Sequence, residues 1–72
     1  MTIGEDRVRV KFNPSADTTV DRIKQRTAEL IDFCENYRKQ AGPEEARLWA
    51  LAMTYYETAA MYAVKAATTG KD

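Results

Sequence analysis

Residues 46–69 contain only three charged side chains, Arg47, Glu57 and Lys65, and carry two apolar stripes instead of one. The first runs Ala46, Trp49, Met53, Tyr56, Ala60, Ala63, Ala67 at spacings of 3-4-3-4-3-4. The second runs Leu48, Ala52, Tyr55, Ala59, Tyr62, Ala66 at 4-3-4-3-4. Both have the period of an α-helix. One partner helix can cover one stripe, and two adjacent stripes need two partners. Eight alanines in this segment allow close backbone approach, although alanine also simply favours helix. The segment therefore predicts a helix over about 44–68 that packs on its own chain through one face and on another subunit through the other.

The partner within the chain is a helix over about 18–39. Its apolar stripe reads Val20, Ile23, Thr27, Leu30, Cys34, Tyr37, spaced 3-4-3-4-3 and widened by Ile31. This is the seam of an antiparallel hairpin or a coiled coil. Phe33 lies outside it, which suggests a second buried surface, whereas Cys34 lies within it and reads as a core residue. Asp17 to Thr19 supply the N-cap. Gly42 suits a left-handed C′ position. Pro43 suits a first helical turn, where Glu44 and Glu45 favour the dipole. A connection of about four residues makes the two helices antiparallel neighbours.

Residues 1–17 form an N-terminal arm, and 18–70 form the helical hairpin domain. In the arm, Arg7-Val8-Arg9-Val10-Lys11-Phe12 alternates basic and apolar with period two, which predicts a short β-strand. Its basic face is either the charged guard of an edge strand or a strip facing an anionic ligand. Asn13-Pro14-Ser15 then breaks the chain. The fold class expected is mainly α: a two-helix hairpin with a short N-terminal strand, assembling as a homo-oligomer.

Composition narrows the function. With 72 residues there is at most one domain. A chain of about 60 residues buries only about 60% of its unfolded surface, so a monomeric core would be marginal. Eleven basic and eleven acidic residues give zero net charge, against the basic excess that binding to DNA or RNA polymers requires. Without histidine, and with Cys34 the only cysteine, no zinc site and no Cys-His or Ser-His nucleophile can be built in one chain. No cofactor is expected. A lone cysteine fits a reducing, cytoplasmic setting, and neither a membrane span nor a secretion signal is visible. These features favour a binding or assembly module over an enzyme.

Candidate ligand residues sit at the edges of the stripes. Lys24 flanks the first-helix seam, where it either snorkels over apolar neighbours or meets a ligand. Lys65 and Thr69 fall about 40° apart on adjacent turns, so a cation and a hydroxyl could reach one phosphate, multiplied by symmetry around an axis. Lys65 is otherwise only a favourable charge near a helix C-terminus.

Several segments are similar to a known family: Phe12-Asn13-Pro14-Ser15, Val20-Asp21-Arg22-Ile23-Lys24, Pro43-Glu44, Leu51-Ala52-Met53-Thr54 and Glu57-Thr58-Ala59-Ala60-Met61-Tyr62-Ala63-Val64-Lys65-Ala66. Together they resemble the phage anti-CBASS and anti-Thoeris sponge hairpin family over roughly residues 12 to 69. The resemblance implies a helical hairpin that assembles into compact oligomers, often hexamers. It also implies capture, without cleavage, of cyclic di- or trinucleotides or cyclised ADP-ribose derivatives in the host bacterial cytoplasm. Lys24 matches a helix-1 lysine used against cyclic dinucleotides, and Phe12 with Asn13 stands near an aromatic that stacks on a base. Lys65 stands where an arginine contacts trinucleotide phosphates, and Thr69 where a threonine follows four residues on. Lysine offers a point charge in place of a bidentate fork. Met61 is a suitable apolar plate beside them. The alternative is a purely structural or regulatory helical hairpin that oligomerises and takes no small molecule.

Overall fold

A computed structural model describes residues 1–9 and 18–70 of the chain. It contains three helices, α1 (Ile3–Val8), α2 (Thr18–Arg38) and α3 (Pro43–Thr68), and no strand among the described residues. Residues 39–42 turn the chain so that α3 runs back along α2 as a hairpin, and α1 docks mainly on α2.

The predicted strand is corrected at its N-terminal end, because Arg7 and Val8 are the last two residues of α1. Val10, Lys11, Phe12 and Asn13 lie outside the described residues. Helix wins over the period-two pattern because of what precedes it. Thr2 is extended (φ −83°, ψ 164°) and its hydroxyl accepts the Glu5 backbone N–H at 3.0 Å, while the Thr2 N–H donates to Glu5 Oε1 at 2.8 Å. This reciprocal capping box satisfies two donors that a helix start otherwise leaves open. A six-residue helix is not stable alone, and tertiary contacts hold this one. The Gly4 N–H donates to the Asp32 carboxylate of α2 at 2.7 Å, a charge-assisted bond. Gly4 is buried directly against the Ala28 backbone. Val8 joins the core cluster with Ala28, Ile31, Cys34, Met53 and Ala60.

α1 ends on Arg9, which adopts the left-handed conformation (φ 59°, ψ 49°) while its N–H donates to the Asp6 and Glu5 carbonyls. That conformation costs an L-residue with a Cβ about 1–2 kcal/mol.

The position of α1 also rotates the buried face of α2. Leu30 and Tyr37, assigned to the seam by their spacing, are 42% and 50% exposed, while Ala28 and Ile31 are 3% and 0% exposed. Covering α2 on the Ala28 and Asp32 side moves the core around the helix, because the seam must face two partners instead of one. Tyr37 instead stacks on Trp49 with ring centroids 5.2 Å apart, and Phe33 lies 4.9 Å from Tyr37 in a half-exposed aromatic patch.

Gly42 is corrected as well: it is extended (φ −69°, ψ 173°) and serves as the N-cap of α3, with Pro43 in the first turn. α2 closes through short bonds from Gln40 N–H to the Tyr37 carbonyl and from Ala41 N–H to the Arg38 carbonyl, so no left-handed glycine is required. Positive φ falls on Gly70, just beyond α3.

On α3, every member of the Ala46–Ala67 stripe is buried or half-buried against the rest of the chain. The second stripe, with Leu48, Tyr55 and Tyr62 as its large members, faces away from α2 and is exposed except at Ala52.

Candidate functional site

Where the three helices meet, they enclose a groove of about 480 Å³. α1 and its cap contribute Arg7, Val8 and Arg9, α2 contributes Lys24, and α3 contributes Glu57, Ala60, Met61 and Val64. Volumes of about 300–1,000 Å³ are usual for small-molecule sites. The placement follows from the helix register. Ala60 is 3% exposed at the bottom of the α3 seam, Glu57 and Val64 lie one turn from it on the same face, and the more exposed Met61 flanks them, about 40° around the helix from Glu57. Lys24 stands beside Val20 and Ile31 on the wheel of α2, half-buried.

The groove is lined by the apolar side chains of Val8, Ala60, Met61 and Val64 together with three cations and one carboxylate. Arg38 forms an ion pair with Glu35 and Arg47 with Glu44. Arg7, Arg9 and Lys24 form none among the described residues. The hydrogen bond from Arg38 holds the Glu35 carboxyl below the usual carboxylate range, and the charges of Arg38, Lys39 and Arg7 act in the same direction. Such a cleft, lined by both apolar and cationic residues, can take an anion that also carries flat or apolar groups.

Two of the expected ligand residues, Lys24 and Met61, are brought together in this groove. Lys65 and Thr69 are not part of it. Lys65 lies about 40° around α3 from Met61, on the exposed side of the helix. The Thr69 hydroxyl donates to the Lys65 backbone carbonyl at 2.7 Å, and the Thr68 hydroxyl donates to the Val64 and Lys65 carbonyls at 2.9 and 3.2 Å. Thr69 must release that bond before its single hydroxyl proton can reach a phosphate. Phe12 and Asn13 lie outside the described residues.

Glu57 enters the groove without having been singled out, whereas Arg7 and Arg9 belong to the basic face that the period-two pattern offered to an anionic ligand, and they line the groove from α1 and its cap instead of from a strand. The Thr2-x-x-Glu5 box is the signal that could have pointed to a helix start ahead of the arginines, although docking on α2 is what holds the helix. Among the described residues no cluster of three His, Cys, Asp or Glu side chains could hold a metal ion, and no helix is long and apolar enough to cross a membrane.

Comparison with known proteins gives one family. The family model described as Acb2/Tad1, hairpin domain, matches residues 3–68, which includes all of α1, α2 and α3. No curated protein and no solved structure matches the chain.

Proposed function

The chain belongs to the Acb2/Tad1 hairpin-domain family, the anti-CBASS and anti-Thoeris sponges, and on that premise we propose that it captures a cyclic nucleotide signal without cleaving it. The ligand is a cyclic di- or trinucleotide or a cyclised ADP-ribose derivative, held at the subunit interfaces of a homo-oligomer, a hexamer on the family pattern. Acting in the host bacterial cytoplasm, it deprives immune effectors of their activator.

The observation that carries this reading is the groove in which Lys24 and Met61 meet. Removing a phosphate from water requires compensating cations and donors, and Lys24 supplies a cation there. Met61 gives a soft, polarisable surface for a base. The uncovered stripe on α3 supports assembly, because Leu48, Tyr55 and Tyr62 are 53%, 70% and 69% exposed. A second site at Lys65 and Thr69 is formed when subunits bring copies of the lysine around an axis. Phe12 and Asn13 complete the dinucleotide site from the N-terminal arm.

Native mass spectrometry with a panel of cyclic di- and trinucleotides and cyclised ADP-ribose tests this, with the ligand recovered after denaturation. An oligomer carrying a whole number of ligands that return intact is the expected result. A cleaved ligand would indicate an enzyme, and an oligomer that stays empty across the panel would favour the structural hairpin. Lys65→Glu abolishes trinucleotide binding with the oligomer intact, and Lys24→Ala weakens the dinucleotide or ADP-ribose ligand. Parallel loss of one ligand in both variants would replace two sites by one.

A further inference from the structure

Among the described residues, Arg9 is the only residue other than glycine at positive φ. Glycine is the usual occupant of a left-handed helix end, because it carries no Cβ to clash. An arginine there is a side chain held against a backbone preference, and strain of this kind concentrates at sites that use it. A separate observation places the residue. Arg9 lines the groove together with Arg7 and Lys24. All three lack ion pairs among the described residues, while Arg38 and Arg47 are both paired. Within the lining the one carboxylate is Glu57, and Arg7 also acts on Glu35, which Arg38 already pairs, so three cations face one carboxylate in the groove itself.

We propose that Arg9, together with Arg7, forms a guanidinium clamp on the phosphates of the captured ligand, making α1 and its left-handed cap part of the binding site. Two planar forks recognise a phosphodiester or pyrophosphate bidentately, where Lys24 alone offers a point charge. The identity of the ligand as a cyclic nucleotide rests on the sponge reading. The clamp itself commits to a phosphate anion in this groove.

The test uses the full chain and two probes. Inorganic pyrophosphate is titrated while the amide signals of Val8, Ala60 and Val64 are followed by NMR, and 3′,3′-cyclic GMP–AMP is titrated by calorimetry. The variants are Arg9→Gly, Arg9→Lys and, as a control for bulk charge, Arg22→Gln on an exposed part of α2. Pyrophosphate shifts the groove amides of the wild type, Arg9→Gly binds it at least tenfold more weakly, Arg9→Lys falls between, and Arg22→Gln stays within twofold. The melting midpoint of Arg9→Gly equals or exceeds that of the wild type, which separates lost binding from lost folding. Absence of pyrophosphate shifts in the wild type, or equal affinity in Arg9→Gly, would overturn the clamp. Cyclic GMP–AMP bound equally by wild type and Arg9→Gly would also overturn it and leave the sponge reading standing. Arg9-dependent pyrophosphate binding by a chain that holds none of the cyclic nucleotides would uphold the clamp and overturn the sponge.

Discussion

Cys34 is 3% exposed on the inner face of α2, and burial pushes its thiol above the ordinary value. A buried thiolate would lose its hydration without gaining a partner. The folded chain therefore keeps the proton that the unfolded chain gives up near pH 8.5. The contribution of this group to stability is fully present below that pH and is lost as the pH rises through the raised folded value. Urea unfolding of wild type and Cys34→Ala between pH 7 and 10 should show the wild type losing stability relative to the variant as the pH rises. A difference that stays constant over that range would mean that the thiol is not desolvated. The same residue shows what spacing can reveal. Its place in a 3-4 stripe marked it as core, yet the same stripe also marked Leu30 and Tyr37, which are half-exposed. A stripe identifies a face but leaves its centre undetermined to within about one residue, or 100°.

At the scale of elements, α1 departs most from what the sequence suggests. Its alternating Arg7-Val8-Arg9 has the pattern of a strand, and the pattern is overridden by the Thr2–Glu5 box and by docking on α2. A Cβ at Gly4 would collide with the Ala28 carbonyl and come within 2.7 Å of Asp32 Oδ1, whereas a Cβ at Gly42 would meet nothing within 4 Å. Gly4→Ala must therefore push α1 off α2 and break the Gly4–Asp32 bond. The expected cost is about 1–3 kcal/mol in denaturant unfolding, with faster exchange of the α1 amides. Gly42→Ala should cost less than about 1 kcal/mol. If the two substitutions proved equally mild, the docking of α1 would not depend on that contact. The long helices were legible for a different reason. Over 21 and 26 residues the periodic signal repeats often enough to outweigh local exceptions.

The whole molecule is thin. Its extents are 46 × 22 × 12 Å and its radius of gyration is 13.4 Å, against roughly 11 Å for a compact domain of this length. Among the described residues, Ile31 and Met53 are the only large side chains that are fully buried. A monomer of this shape has little core to offset its chain entropy, while Leu48, Tyr55 and Tyr62 lie uncovered along one side of α3. Replacing both Tyr55 and Tyr62 by Glu should convert the proposed oligomer to a monomer in light scattering after gel filtration, with a lower melting midpoint. A wild type that is already monomeric, or a variant of unchanged mass, would show that this face is not the subunit interface. Burial of one stripe was visible in advance because α2 was identified in the same chain. Among the described residues of the single subunit nothing covers the other stripe, which is exposed except at Ala52.

By itself the sequence determined the hairpin: two helices, the four-residue turn between them, and the stripe on α3 that faces α2. These follow from backbone hydrogen bonds over four residues and from apolar periodicity, and both are local. The helical state of Arg7 and Val8, the rotation of the α2 face towards Ala28 and Ile31, and the convergence of Arg7, Arg9, Lys24 and Met61 on one groove were decided by the tertiary structure. Those residues are distributed over all three helices, and only the docking of α1 brings them to one groove.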